Sequence, residues 1–219
     1  MKREDWDKRY AATDLLWSAD PNQFLVAEVA GVEPGRACDV ACGEGRNAIW
    51  LAEKGWQVVA VDFSPIAVDK ARQLAASREV VIDWHTADVR ENLPSAQSFD
   101  LVLMFYLHMP WSDMRAALRH ATDALAPGGT FLLVGHDSSN LEHGHGGPQD
   151  PAVLYGPDQV AAQLGGLVVE KAERVRRQVK PRSDRATHVH PGKKSDEPVF
   201  AIDNLVRAVL PTSVPATAR

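Results

Sequence analysis

Three acids and two glycines in the first half of the chain have the types and spacing for ligand chemistry. Ala37 to Asn47 reads Ala-Cys-Asp-Val-Ala-Cys-Gly-Glu-Gly-Arg-Asn, and an amphipathic segment with Ala48, Ile49, Leu51 and Ala52 follows at once. A strand, a tight glycine turn and a helix start in that order aim backbone N–H groups at a ligand. Gly43 and Gly45 permit positive φ and let a ligand touch bare backbone. Spacing alone allows a dinucleotide, because Gly43, Gly45 and Ala48 fit Gly-x-Gly-x-x-(Gly/Ala) and Asp62 follows at nearly the expected distance. Charge separates the two readings. Asp39 near the strand end and Glu44 inside the turn repel a pyrophosphate at the helix N-terminus and attract a cation. S-adenosylmethionine (SAM), with a sulfonium, an ammonium and no phosphate, fits the acidic loop.

A second set could move protons. Phe105-Tyr106-Leu107-His108-Met109-Pro110-Trp111 follows an apolar strand at the end where a doubly wound sheet opens its crevice, so these residues are expected to face the transferable methyl. His108 has an ordinary pKa suited to accepting a proton from a hydroxyl or thiol near neutrality, with Tyr106 as its companion. Two other readings of His108 stay open: a ring that hydrogen-bonds backbone, and a substrate hydrogen bond without proton transfer. His143-Gly-His145 could chelate a metal with His136 or Asp137, but solvated loop histidines account for the pair, and no metal is expected.

The elements that must position these groups read as alternating strands and helices. Asp20-Pro21 opens a helix with Phe24, Leu25, Val29 and Ala30 on its apolar face, and Gly31 stops it. Strands are expected at the glycine stretch, at Gln57 to Val61, Val80 to His85, Phe99 to Met104 and Thr130 to Gly135. Ser64-Pro65 and Ser112 cap the intervening helices, and Pro127-Gly128-Gly129 turns the second of these into its strand. Asp62, at the carboxyl end of the second strand, can accept two ribose hydroxyl bonds. Pro157 starts a short helix, after which Leu167 to Val179 and Val199 to Leu210 read as strands. Residues 136–156 lack periodicity and are expected to form a substrate lid. Residues 180–198 read as an exposed hairpin loop.

The acidic glycine stretch resembles the first motif of class I SAM-dependent methyltransferases. Trp6-Asp7-x-Arg9-Tyr10, Trp17 and Pro21-Asn22 before it resemble the small tellurite-resistance-type and thiopurine-type members, in which this segment (here residues 1–31) covers the cofactor. The resemblance runs from about Trp6 to Leu210. It implies one α/β domain, a Rossmann-like, doubly wound, mostly parallel seven-stranded sheet with helices on both faces and an antiparallel last strand. It further implies a cofactor site from Trp17, Asp39, Ala41, Gly43, Gly45, Asn47, Asp62, Phe63, Asp88, Val89 and Phe105. There Asp88 would accept the adenine amine, the Val89 backbone would meet a ring nitrogen, and Trp17 would face the sulfonium.

Bulk properties bound the rest. At 219 residues the chain is enough for one α/β domain, and a net charge of −5 gives no basic footprint for nucleic acid. The basic run from Arg174 to Lys180 is explained by a solvated strand face. Cys38 and Cys42, the two cysteines, read as small buried residues. No signal-peptide core or membrane-length apolar run appears, so a cytoplasmic monomer or homodimer is expected. No Asn-Pro-Pro-Tyr-type tetrapeptide follows the fourth strand, which disfavours amino-group methylation of bases. The expected activity is methyl transfer from SAM to a small-molecule O, S or other soft nucleophile. A non-catalytic SAM-binding regulatory domain and a nicotinamide-dependent reductase are the alternatives.

Overall fold

Val58 to Val61 and Leu101 to Met104 are unbroken apolar runs, which only strands covered on both faces can bury. A computed structural model of the chain, describing residues 2–91, 97–179 and 198–212, places them at the centre of a seven-stranded sheet. The strands are β1 (Arg36–Val40), β2 (Gln57–Asp62), β3 (Asp83–Thr86), β4 (Phe99–Phe105), β5 (Leu125–His136), β6 (Val168–Val179) and β7 (Val199–Val209), in the order β3-β2-β1-β4-β5-β7-β6. β1 pairs in parallel with both β2 and β4, and β7 runs antiparallel between β5 and β6. The strand order therefore reverses between β1 and β4, and their carboxyl ends diverge into a crevice.

Helices cover both faces: α1 (Arg3–Ala11), α2 (Gln23–Glu28), α3 (Arg46–Glu53), α4 (Pro65–Ser77), α5 (Trp111–Asp123), α6 (Asn140–His143) and α7 (Pro157–Ala161). Alternation along β4 feeds two cores. Val102 and Met104 pack with Met114, Leu118 and Phe131, while Leu101 and Leu103 pack with Leu25, Leu51 and Trp56. No helix among the described residues is long and apolar enough to cross a membrane.

Four boundaries differ from the sequence expectation, each for a local reason. α2 starts at Gln23, because the Asn22 side chain accepts the Phe24 N–H at 2.9 Å and caps it, leaving Pro21 outside. β3 starts at Asp83, not Val80: the Val80 N–H is spent on the Ala75 carbonyl, and Val81 is 93% exposed. α5 starts at Trp111, with Ser112 already inside it and making no cap bond. β5 runs through Pro127-Gly128-Gly129 with a register shift opposite Phe99 and Leu101. A side chain at Gly129 would stand 2.6 Å from the Phe99 carbonyl oxygen, so only glycine fits there.

The expected lid contains α6, a 3-10 turn at Pro151–Val153 and a bridge between Asp137 and Tyr155. The Asn140 side chain fastens it by donating to the Gly146 carbonyl at 2.9 Å and accepting the Ile202 N–H at 2.7 Å. The hairpin of β6 and β7 closes at Val179 opposite Val199. Residues 180–197 of the expected hairpin loop lie outside the described residues.

Candidate functional site

The chain leaves β1 through a turn in which Ala41, Gly43 and Gly45 all take positive φ, at 59°, 55° and 78°. Ala41 has a Cβ and still adopts this conformation, a local cost found where surroundings fix a functional loop. Two acids fasten the turn from beneath. Asp62 accepts the Gly43 and Ser64 N–H groups, each at 2.9 Å, and Asp39 accepts the Ala48 N–H at 3.1 Å in the first turn of α3. Burial pushes Asp39 up to about 7 and Asp62 up to about 6, backbone hydrogen bonds opposing it. The glycines differ in purpose. A Cβ at Gly43 would lie 3.0 Å from the Tyr10 hydroxyl and 4.0 Å from the Trp17 ring, so its bareness keeps open a space walled by aromatics. A Cβ at Gly45 would fall 2.5 Å from the Trp84 ring, so that glycine serves packing against Trp84 and Ala71.

These residues fit SAM by the chemistry of their side chains. A carboxylate has about four acceptor sites, so Asp62 keeps capacity for hydroxyls after taking two N–H groups. Asp88 binds Arg90, whose hydrogen bonds hold its carboxyl below the usual range. Asp39, Asp62 and Asp88 thus offer acceptors to a ligand rich in hydroxyl and amine donors. Val89 is buried, Asn47 stands in the first turn of α3, and Phe63 directly follows β2.

Glu44 has a different role from the one its charge implied. Its carboxylate accepts the Leu16 N–H at 2.9 Å and the Trp17 N–H at 3.0 Å and lies 3.6 Å from Lys70 Nζ. Lys70 also donates to the carbonyls of Tyr10, Thr13 and Asp14. Glu44 and Lys70 therefore clasp the segment before α2 across the glycine turn. The stacked rings of Trp6 and Tyr10, with centroids 5.7 Å apart, ride on this clasp.

On the far side of the crevice, the run after β4 divides. Phe105 is buried in the core with Leu103 and Leu132, and Leu107, Met109 and Trp111 pack against the opposite core. Only Tyr106 and His108 join the polar cluster, so the expectation that the whole run faces the methyl is corrected. Tyr106, at φ 56°, donates its hydroxyl to Asp203 Oδ2 at 2.8 Å and accepts from Arg177 Nε at 2.9 Å. Burial and the Asp203 charge push its phenol up, which keeps it protonated near neutrality. Asp203, fully buried on β7, also accepts from Arg177 Nε at 2.7 Å, and its Oδ1 lies 3.1 Å from His136 Nδ1. That last contact is close but off the line of a straight hydrogen bond.

His108 is held by backbone at both nitrogens: Nδ1 faces the Val153 carbonyl at 3.2 Å and Nε2 accepts the His136 N–H at 3.3 Å. Burial and neighbouring His136 lower it to about 4. A ring engaged on both sides favours the backbone-bonded reading of His108 over the general-base one. His136 faces Asp203, and Asp137 accepts from Arg174 at 2.9 Å and from Ser139, so neither completes a metal set with His143 and His145. Among the described residues no group of three or more His, Cys, Asp or Glu could hold a metal ion. The basic run of β6 is likewise not merely solvated, since Arg174 and Arg177 reach Asp137 and Asp203.

Sequence reasoning missed Asn22, Arg177 and Asp203. A signal existed for the last: Asp203-Asn204 interrupts an apolar central strand, and buried polar groups there demand partners. Asn22 connects the two sides. Its N–H donates to Asn47 Oδ1 at 2.9 Å, and its side-chain amide donates to the Tyr106 hydroxyl at 3.3 Å.

Comparison with known proteins bears on the family and the fold. Residues 37–129 match a family described as a methyltransferase domain. The chain is 31% identical over 176 residues to the cypemycin N-terminal methyltransferase of a Streptomyces species, covering 77% of this chain and 69% of that one. It is 33% identical over 133 residues to the tRNA 5-carboxymethoxyuridine methyltransferase of Escherichia coli (strain K12), covering 58% of this chain and 49% of that one. The matched region thus spans about half the length of that relative. The crystal structure of the N-methyltransferase NodS from Bradyrhizobium japonicum WM9, in complex with S-adenosyl-L-homocysteine, superposes with a TM-score of 0.67 at 22% identity, over 96% of this chain and all of that one, a likeness of fold.

Proposed function

The chain belongs to the class I SAM-dependent methyltransferases, with SAM as its cofactor, and we propose that it methylates a small-molecule acceptor held against Tyr106 and His136. The observation that carries this reading is the Asn22 bridge. One buried residue hydrogen-bonds both the helix behind the glycine turn and the hydroxyl of the far cluster, so the cofactor loop and the polar cluster stand side by side at one end of the sheet. With the segment before α2 held over the glycine turn by Glu44 and Lys70, and Gly147 of residues 136–156 against His136, this end of the sheet suits a compact ligand. The net charge of −5 does not suit a polyanion.

Asp62 would take the ribose hydroxyls, Asp88 the adenine amine, and the bare face of Gly43 with Trp17 the methionine end. The cofactor supplies a methyl group on a sulfonium. The protein's own contribution is to hold the nucleophile close and in line while the roof excludes water.

The test incubates the protein with methyl-labelled SAM and a deproteinised, RNA-free metabolite extract. Label appearing in a compound of metabolite size supports the reading. Label taken up only when RNA or protein is added overturns it, and SAM binding without turnover favours a non-catalytic binding domain.

A further inference from the structure

We propose that His136 is the proton acceptor of the reaction, set in place by Asp203, and that the acceptor is therefore a protic nucleophile such as a hydroxyl that is un-ionised when it binds. This rests on the small-acceptor reading above and narrows it to a substrate class.

The argument begins with what surrounds the ring. Asp203 is wholly buried, and it is flanked by Arg177 at 2.7 Å, the Tyr106 hydroxyl at 2.8 Å and His136 Nδ1 at 3.1 Å. Arg177 and Tyr106 both place their donors on Oδ2, which leaves Oδ1 for His136. A carboxylate so held keeps its charge and, although the 3.1 Å contact is not a straight hydrogen bond, favours a proton on the nearer ring nitrogen, so that Nδ1 would carry it and Nε2 would present a lone pair. Nε2 has no hydrogen bond to the protein among the described residues, in contrast to both nitrogens of His108. The ring is fixed from three sides. Its backbone N–H is tied to His108 Nε2, Tyr106 lies against it at a centroid distance of 5.1 Å, and Gly147 of the lid sits so close that a Cβ there would approach the ring to 2.8 Å. The side chain is 12% exposed, sheltered but reachable.

Elimination points the same way. Tyr106 stays protonated and has its hydroxyl committed to Asp203, and Arg177 is a permanent cation. Asp203 is sealed. Of the cluster, His136 alone offers an open basic atom.

The step balances simply. A lone pair on the acceptor oxygen forms the new bond to the methyl carbon, and the methyl–sulfur bond breaks with its electron pair remaining on sulfur. The hydroxyl proton passes to His136 Nε2, and the resulting imidazolium is paired with Asp203 until the proton leaves to solvent.

Two measurements on the full chain test this. The first is the imidazole tautomer of His136, read by nitrogen-15 NMR with and without SAM. Protonated Nδ1 with a bare Nε2 is expected in the parent, with loss of that preference in Asp203→Asn. A proton resident on Nε2, or a tautomer indifferent to Asp203→Asn, overturns the proposal whatever the acceptor proves to be. The second is methyl transfer from labelled SAM to substituted phenols of graded acidity. His136→Gln should slow un-ionised phenols by about 10²–10⁴-fold, with a loss that shrinks steadily as the phenol becomes ionised. An equal loss across the series would reduce His136 to a positioning residue and overturn the base. If the parent methylates no phenol and no metabolite, the small-acceptor reading fails, while the tautomer still decides whether the dyad exists.

Discussion

The cofactor side of the crevice takes its charged groups from one continuous stretch, Asp39 to Asp88. The far side gathers Asn22, Tyr106, His136, Arg177 and Asp203 from separate segments reaching almost the whole length of the chain. The first set is acidic, and its two buried strand-end carboxylates, Asp39 and Asp62, are held by backbone N–H groups of the glycine turn, of α3 and of Ser64. The second mixes signs, and its charges are answered by one another across β6 and β7. A loop built on backbone can receive a cation without rearranging side chains. A cluster built on side chains holds its atoms in fixed orientation only while every partner is present, as a site that handles protons requires.

The largest way to break this contrast is at a glycine. Gly45→Val would force a β-branched residue to φ 78° and drive its Cβ into the Trp84 ring. A loss of roughly 2–5 kcal/mol in urea unfolding is expected, from backbone strain and overlap together. Gly147→Val on the lid has the same φ, 78°, and its Cβ would meet the His136 ring, but Gly147 lies in an exposed segment that can move away, so the cost should be clearly less. Equal losses would mean that the lid is as rigid as the cofactor loop.

The two sides should also respond to pH with opposite sign. Asp62 is raised to about 6 in the fold, against about 3.9 unfolded. Its contribution is therefore complete below about 3.9 and is lost as pH rises through 6. His108 is lowered to about 4 against about 6.5, so its contribution is present above 6.5 and is lost as pH falls through 4. Each is worth about 2–3 kcal/mol. Between pH 7 and 4, Asp62→Asn should become more acid-sensitive than the parent and His108→Asn less so, by urea midpoints. Slopes that move together would show that the sides titrate as one unit.

Affinity separates them further. Asp62→Ala should weaken SAM by about 1.5–3 kcal/mol, the value of a lost hydrogen bond to a charged group. Asp203→Asn should leave SAM affinity within about twofold, a difference under 0.5 kcal/mol. Calorimetry on both variants gives the answer, and a comparable loss in Asp203→Asn would join the sides into a single binding site.

The same contrast explains what could be read in advance. Asp39, Gly43, Gly45 and Asp62 were legible because one strand–turn–helix unit and the strand that follows it bring them together, so sequence spacing maps onto space. The run of strands and helices was legible from apolar runs alternating with capped helices, whereas the seven-stranded sheet and its antiparallel last strand were legible only through the family resemblance. Asp203 and Arg177 were not, because Arg177 reaches Asp203 through the pairing of β6 with β7, and His136 reaches it through β7 entering antiparallel beside β5 in the register that sets His136 opposite Asp203. No local period encodes that register. His108 misled because its position at the crevice is real, while the Val153 carbonyl that consumes its Nδ1 arrives from a distant loop. Glu44 misled through its charge, which the clasp absorbs.

The smallest expected effect concerns the roof between the two sides. Trp17 is half-buried, its backbone is pinned by Glu44, and its ring lies about one van der Waals contact from the bare face of Gly43. An aromatic face there would attract a sulfonium by up to about 2 kcal/mol when water is excluded. The product S-adenosylhomocysteine has the same shape without that charge, so it should gain only the packing. Trp17→Leu keeps an apolar side chain and removes the π face. It should weaken SAM by roughly 1 kcal/mol more than the product, measured by parallel titrations at one ionic strength. Glu44→Gln provides the control, since loosening the clasp lifts the whole segment and should weaken both ligands alike. If Trp17→Leu also weakens both alike, the ring acts as a wall of the roof, and the acidic loop alone discriminates charge.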